Sequence, residues 1–412
     1  MGTGRQEHGQ AGLVVGEGAV RLWGLTGKER LERQMKAAGV TRLLSEDESS
    51  GVDSVLLLSA DCLFDARTLR DLLACPGTIL QVRGADGVAQ AVAANVPAAE
   101  QQAALAALRR GDSGHAIQGL TTRTLADLPS NYNAGLLKAD RPLLLAVRAE
   151  RRADLERYLF DASYKGVTDL VTKWLWPAPA RAATSLCARF GIPPNAVTAA
   201  SLVLVIAATW LFAEGQLAAG LAAAWVMTFL DTVDGKLARV TVTSTKFGHL
   251  FDHLIDLIHP PVWYAAWGAG LVGGMANLGT LSPALEAIVL GYVVGRLAEG
   301  GFEYVVGGFS MFTWRPFDSY FRLVTGRRNP NLVLLTAFAL AGRPAEGLTA
   351  VAIWTVASTA ILGLRLLQAV VAKARGRHLE SWLSELDPRA KGNPGYARPF
   401  LGNIAVEARL TR

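Results

Sequence analysis

Apolar and polar positions divide the chain into two regimes. Over residues 1–160, apolar runs of strand length at 11–15, 55–58, 78–82 and 143–147 alternate with amphipathic stretches of helical period such as 28–38 and 98–110. That alternation predicts a soluble α/β domain. From Arg189 onward the apolar runs lengthen to bilayer scale, at 194–212, 217–230, 257–274, 284–306, 332–341 and 348–361. The second extends as a helix into its polar flank, through residues 231–239. Six spans are expected, in an all-α transmembrane bundle over residues 191–380 followed by a tail at 381–412.

The connections sort by charge. AEGQ, GGMANLGTL and AGRPAEG are short and nearly free of basic residues, whereas KLARVTVTSTK, FTWRPFDSYFRLVTGRRNP and KARGRH are basic. Basic loops stay on the cytoplasmic side, which places both termini and the loops after spans two and four there. The first thirty residues hold no long apolar run, so no secretory signal is read and an integral inner-membrane protein is expected. Residues 161–190 join the regimes. Lys165, Lys173, Trp174, Trp176, Arg181 and Arg189 mix charge and aromatic rings as an interfacial helix does, and Pro177 and Pro179 break any continuous one.

Composition narrows the class. Hydrophobic residues make up 51% and charged residues 18%, too apolar for a disordered chain. Forty-one Lys and Arg against thirty-five Asp and Glu give a net charge of +6, for which an anionic membrane surface suffices and nucleic acid is not required. Cys62, Cys75 and Cys187 show no zinc or disulfide spacing and are expected to be reduced.

The chemistry lies in FLDTVDGKLARVTVTSTKFGHLFDHLIDLIH, residues 229–259. Asp231, Asp234, Asp252 and Asp256 stand at the ends of otherwise apolar helices. Each ionised Asp deep in a bilayer costs about 2.5–3.5 kcal/mol, so the four together need a compensating cation. Asp231 and Asp234 are three apart while Gly248, Asp252 and Asp256 recur every fourth residue, so each set shares one helix face. Oxygen-rich groups facing one another are what hard divalent ions require. His249 and His253 point roughly 100° away from the neighbouring aspartates, which favours packing over ligation.

Asp231, Asp234, Gly235, Ala238, Arg239, Gly248, Asp252 and Asp256 spell DxxDGxxAR(x8)GxxxDxxxD, which resembles the signature of the CDP-alcohol phosphotransferases. The resemblance implies a membrane enzyme that moves a substituted phosphoryl group, such as phosphatidyl from CDP-diacylglycerol, to a polar alcohol and releases CMP in phospholipid synthesis. By position, it implies that Asp231, Asp234 and Asp252 ligate a pair of Mg2+ or Mn2+ ions. Asp256 completes the second site or acts as catalytic base. The CDP moiety is expected against Asp231, Asp234, Gly235, Ala238, Arg239 and Gly248. Asn195 and Thr198 join them or simply cap the first span. A homodimer through the spans is also implied.

Arg315, Arg322, Arg327 and Arg328 crowd the segment before span five, and guanidinium groups suit phosphate. They are expected to bind the acceptor, a polyol phosphate such as inositol phosphate or glycerol phosphate, although topology alone also demands a basic loop there. The amino-terminal domain resembles sugar-phosphate nucleotidyltransferases in degenerate form, with Gly16, Gly18, Arg21 and Lys28 at a glycine-rich loop and Asp61 after a central strand. Glu17 in that loop, and the lack of a second metal aspartate, argue against nucleotide transfer. A bifunctional enzyme that makes its own CDP-alcohol is the alternative; a membrane scaffold without activity is disfavoured by the intact aspartates.

Overall fold

The computed structural model describes residues 10–402 except 49–52, 84–87, 113–116, 118, 128–131, 141, 143, 389 and 391. Its first part is an α/β unit. In chain order the elements are β1 (Ala11–Val15), α1 (Gly27–Ala37), β2 (Arg42–Leu44), β3 (Ser54–Ser59), β4 (Cys62–Phe64), α2 (Ala66–Leu73), β5 (Thr78–Arg83) and β6 (Ala89–Pro97). Then come α3 (Gln101–Arg110), β7 (Thr121–Arg123), β8 (Tyr132–Asn133), β9 (Lys138–Ala139), β10 (Leu144–Ala146) and α4 (Arg152–Ala162). Six strands form one sheet in the order β2-β1-β3-β6-β5-β7, in which β6 alone runs antiparallel to its neighbours. Every residue of β1 is buried, as expected of a strand covered on both faces.

The expected strands at 11–15, 55–58 and 78–82 fall in this sheet. The run at 143–147 begins outside the described residues, and its remainder, β10, pairs with β4 in a separate two-stranded ribbon. The central strand β6 was not anticipated. Its sequence, AQAVAANVP, is alanine-rich and has weak strand propensity, and pairing on both edges holds it extended. Helix α1 starts at a capping box: Thr26 Oγ1 accepts from the Glu29 amide, and the Thr26 amide donates to Glu29 Oε2 at 2.8 Å.

The second part is helical: α5 (Pro177–Arg189), α6 (Pro194–Ala213), α7 (Leu217–Val240), α8 (Lys246–Val272), α9 (Ser282–Val306), α10 (Pro316–Val324), α11 (Arg328–Leu340) and α12 (Pro344–Ala374). As expected, no continuous helix runs through the connecting segment: it is interrupted at Trp176, and α5 restarts at Pro177, whose missing N–H the first turn does not need. A single π-type turn, Val171–Leu175, precedes it. Among the described residues three helices, α6, α7 and α12, have the length and hydropathy to cross a membrane. At 27 and 25 residues α8 and α9 are long enough but carry ionisable residues, and α11, with 13, is about 20 Å long. Side chains from α6, α7, α8, α9, α11 and α12 meet in one core around Phe212, Met227, Trp267, Ile288, Leu332 and Val351.

The two parts are joined by packing and by buried polar contacts. Trp23 stacks on Phe160 at 5.9 Å and shares a cluster with Val197, Val233, Leu237 and Val240. Arg30 of α1, 3% exposed, donates through Nη2 to the carbonyls of Leu22 at 3.1 Å and Val240 at 2.8 Å. Burial pulls its guanidinium down to about 10. The α/β unit therefore grips the last turn of α7. The segment Gly395–Phe400 packs against Trp382 and Tyr320, tying the end of the described chain to α10.

Candidate active site

The last three turns of α7 and the first three of α8 face each other across the loop 241–245. Thr245 begins α8 by accepting from the Gly248 amide at 2.9 Å, which fixes the phase of the helix and so of Asp252 and Asp256. The outcome is that Asp231, Asp252 and Asp256 each present a carboxylate oxygen within 4.8 Å of the others. An all-oxygen set of this size fits a hard divalent cation. Asp234, expected beside them, is buried outside this group of three, and its Oδ2 accepts from Thr198 Oγ1 of α6 at 2.6 Å.

The remaining signature residues line the same end. Gly235 lies under the guanidinium of Arg239, where a Cβ would come within 3.1 Å of Nη2. Gly248 lies under Asn195, where a Cβ would meet Oδ1 at 2.8 Å. Ala238 is half-buried one turn beyond Asp234. Neither Asn195 nor Thr198 caps α6. The cap position is Pro193, while Thr198 spends its hydroxyl on Asp234 and on the Pro194 carbonyl. His249 and His253 are exposed and stack on each other at 6.3 Å, apart from the three carboxylates.

The four arginines separate. Arg328, at the start of α11, forms a fork over the cluster: Nη2 donates to Asp231 Oδ2 at 2.5 Å and Nη1 to Asp256 Oδ1. Arg327 is paired with Glu299 of α9. Arg322 lies over the Phe312 ring at 5.4 Å, and its Nη1 is buried with no hydrogen-bond partner among the described residues. Arg315 is exposed at the start of α10 beside Trp314. Sequence reasoning missed what surrounds them. Asn329, next to Arg328, donates to Asp169 Oδ1 at 3.0 Å, and Tyr292 Oη donates to the Asp256 carbonyl at 3.2 Å. No spacing rule links these positions, which lie 160 and 36 residues apart.

In the α/β unit the glycine-rich loop is closed on itself. Lys28 Nζ pairs with Glu17 Oε1 at 2.7 Å, and the Gly16 amide donates to Glu46 Oε1 at 2.9 Å. Gly18 and Gly27 press against the Ala60 carbonyl, where added Cβ atoms would come within 2.5 and 2.0 Å. Arg21 reaches Glu29 and the Gly24 carbonyl, and Asp61 is exposed at the end of β3.

Residues 192–362 match the model of the CDP-alcohol phosphatidyltransferase family. Over 120 residues the chain is 32% identical to a phosphatidylinositol phosphate synthase of Mycobacteroides abscessus, covering 27% of this chain and 54% of that protein. It is 29% identical over 120 residues to an archaetidylinositol phosphate synthase of Methanothermobacter thermautotrophicus, covering 29% and 60%. The chain thus spans about half the length of the curated relatives it matches first. Among solved structures, the phosphatidylinositol phosphate synthase of Mycobacterium tuberculosis with CDP-DAG bound aligns at a TM-score of 0.32 and 20% identity. That alignment covers 46% of this chain and 92% of the other, and at this score it carries no argument.

Proposed function

We propose that this protein is an integral membrane CDP-alcohol phosphotransferase that moves phosphatidyl from CDP-diacylglycerol to a polyol phosphate, with inositol phosphate the first choice, and releases CMP. The observation that carries the reading is the convergence of Asp231, Asp252 and Asp256 within 4.8 Å, on a stretch that matches the family model. The names of the matched relatives supply the choice of acceptor. In this reading residues 1–160 are a degenerate nucleotidyltransferase-like unit, 161–190 an interfacial segment, 191–380 the six-span catalytic bundle and 381–412 a cytoplasmic tail. Both termini and the active centre face the cytoplasm, and the chain is a homodimer.

Asp231, Asp234, Asp252 and Asp256 would hold two divalent ions, Mg2+ or Mn2+. Bound there, the pair supplies charge neutralisation for the donor's pyrophosphate and for the departing CMP. The chain's own residues do the rest. Asp256 takes the proton of the acceptor hydroxyl as the new phosphoester bond forms and the bond to CMP breaks. Asn195, Thr198, Gly235, Ala238, Arg239 and Gly248 receive the CDP moiety, the two glycines because a side chain there would meet Arg239 or Asn195. Arg322, whose buried Nη1 has no acceptor among the described residues, receives the acceptor's phosphate, assisted by Arg315, Arg327 and Arg328.

Product analysis tests the proposal. The purified chain is given CDP-diacylglycerol and a panel of labelled inositol phosphate, glycerol phosphate, inositol and serine, with and without Mg2+ or Mn2+. CMP release should require the divalent ion, and the labelled lipid should form best with inositol phosphate. No CMP release from any pair would refute the activity, and a preference for an uncharged alcohol would refute the acceptor class.

A further inference from the structure

A second basic cavity lies outside the signature residues, where the soluble unit, the connecting segment and the end of the described chain meet. Its volume is about 480 Å3, within the range of small-ligand sites, and Lys138, Lys165, Lys173 and Arg398 line it together with Asp161 and Trp174. Four cations face one carboxylate. Lys138 is already satisfied, paired with Asp140 at 2.9 Å and donating to the Ala162 carbonyl at 2.8 Å. The others are not. Lys173 donates to the Gly166 carbonyl at 2.5 Å and lies 5.1 Å from the centroid of Phe400, and neither contact brings a negative charge. Among the described residues no carboxylate forms a salt bridge with Lys165, Lys173 or Arg398. Burial accordingly depresses Lys173 to about 8, which marks an ammonium short of an anion.

The rim indicates where that anion comes from. Trp174 and Leu175 are 61% and 57% exposed beside the cavity, an indole and an aliphatic side chain at the junction between the soluble unit and the apolar helices. Such residues settle at the level of lipid head groups, where phosphate is the abundant anion. We propose that this cavity is a binding site for a phosphate group, presented by the head group of an anionic phospholipid. Arg398 supplies a planar fork to the phosphate oxygens, and Lys165 and Lys173 supply point charges. A lipid held there would fasten the soluble unit and the end of the chain to the membrane at one point.

The test uses the full chain in an uncharged detergent, with binding followed by calorimetry. The probes are dihexanoyl phosphatidylglycerol, dihexanoyl phosphatidylcholine and inorganic phosphate. The wild type should bind the phosphatidylglycerol probe, and Arg398→Glu should weaken it at least tenfold. Arg189→Glu, an exposed basic residue not lining the cavity, should leave it unchanged and so exclude a general charge effect. Binding of inorganic phosphate alone, lost in Arg398→Glu, would keep the phosphate site and make a soluble anion its source. No binding by the wild type, equal affinity for phosphatidylcholine, or equal binding by wild type and Arg398→Glu would overturn the proposal.

Discussion

Replacing Asp252 by Asn should make the protein more stable in the absence of divalent ions while depriving it of its response to them. The oxygens of Asp231, Asp252 and Asp256 lie within 4.8 Å of one another, and two unit charges at that spacing repel by about 3 kcal/mol at an effective dielectric constant of about 20. Asp252 takes part in two of these repulsions. Against them stands one attraction of similar size to Arg328, whose guanidinium is shared by Asp231 and Asp256. Asn keeps the shape and removes the charge, so the net relief is about one pair. Solvent at the open side of the site reduces it to about 1–3 kcal/mol. Thermal unfolding followed by tryptophan fluorescence in EDTA at pH 9, where the carboxylates are ionised, should therefore show a Tm for Asp252→Asn several degrees above wild type. Saturating Mn2+ should raise the wild-type Tm by more than that of the variant, because a lost ligand weakens affinity by roughly 10–100-fold and stabilisation scales as the logarithm of affinity. A variant less stable than wild type in EDTA, or an equal Mn2+ shift in both proteins, would refute the argument that these carboxylates are held together against their own charge for a cation.

The other predictions rest on single contacts. Gly248→Ala should raise the KM for the CDP-linked donor, since its Cβ would lie 2.8 Å from Asn195 Oδ1, and Asn195→Ala added to it should recover part of the loss if the clash is the cause; an unchanged KM in the single variant would remove the glycine from the donor site. Arg30→Ala should lower stability by about 2–4 kcal/mol, because it opens a cavity and orphans the carbonyls of Leu22 and Val240, and a Tm within a degree of wild type would contradict that role. The full chain given CTP and alcohol phosphates should release no pyrophosphate, and release that Asp61→Asn abolishes would restore the bifunctional reading.

The aspartate site was legible because the membrane makes charge conspicuous. Four carboxylates among apolar neighbours, at helical spacing on two adjacent segments, leave few arrangements, and the structure brings three of them together. The place of Arg328 was legible only as composition. As one of four basic residues in a loop it looked equivalent to Arg315, and only the approach of α11 to α7 and α8 puts it on Asp231 and Asp256. Strand β6 failed for a local reason, since alanine carries little strand preference, and its two neighbours decide its conformation. Strands β1, β3 and β5, with Val, Ile and Leu in the runs, had a local signal strong enough to be read.

The contacts of α1 also bear on why an α/β unit with a closed loop is present. An anion bound at a glycine-rich loop needs free amides and a free ammonium, yet the Gly16 amide is taken by Glu46 and Lys28 by Glu17. The same helix sends Arg30 to the Val240 carbonyl and Arg33 to the Thr241 carbonyl, at the carboxy-terminal end of α7. Positive groups at a helix carboxy-terminus stabilise the carbonyls that have no partner within the helix. That end carries Asp231, Asp234, Gly235, Ala238 and Arg239, so fixing it fixes the side of the site opposite α8. Helix α1 thus has one end tied to the preceding loop through the Lys28–Glu17 pair and one face committed to α7. A unit built in this way holds α7 in place, and the Gly16 amide and Lys28 of its loop are already engaged.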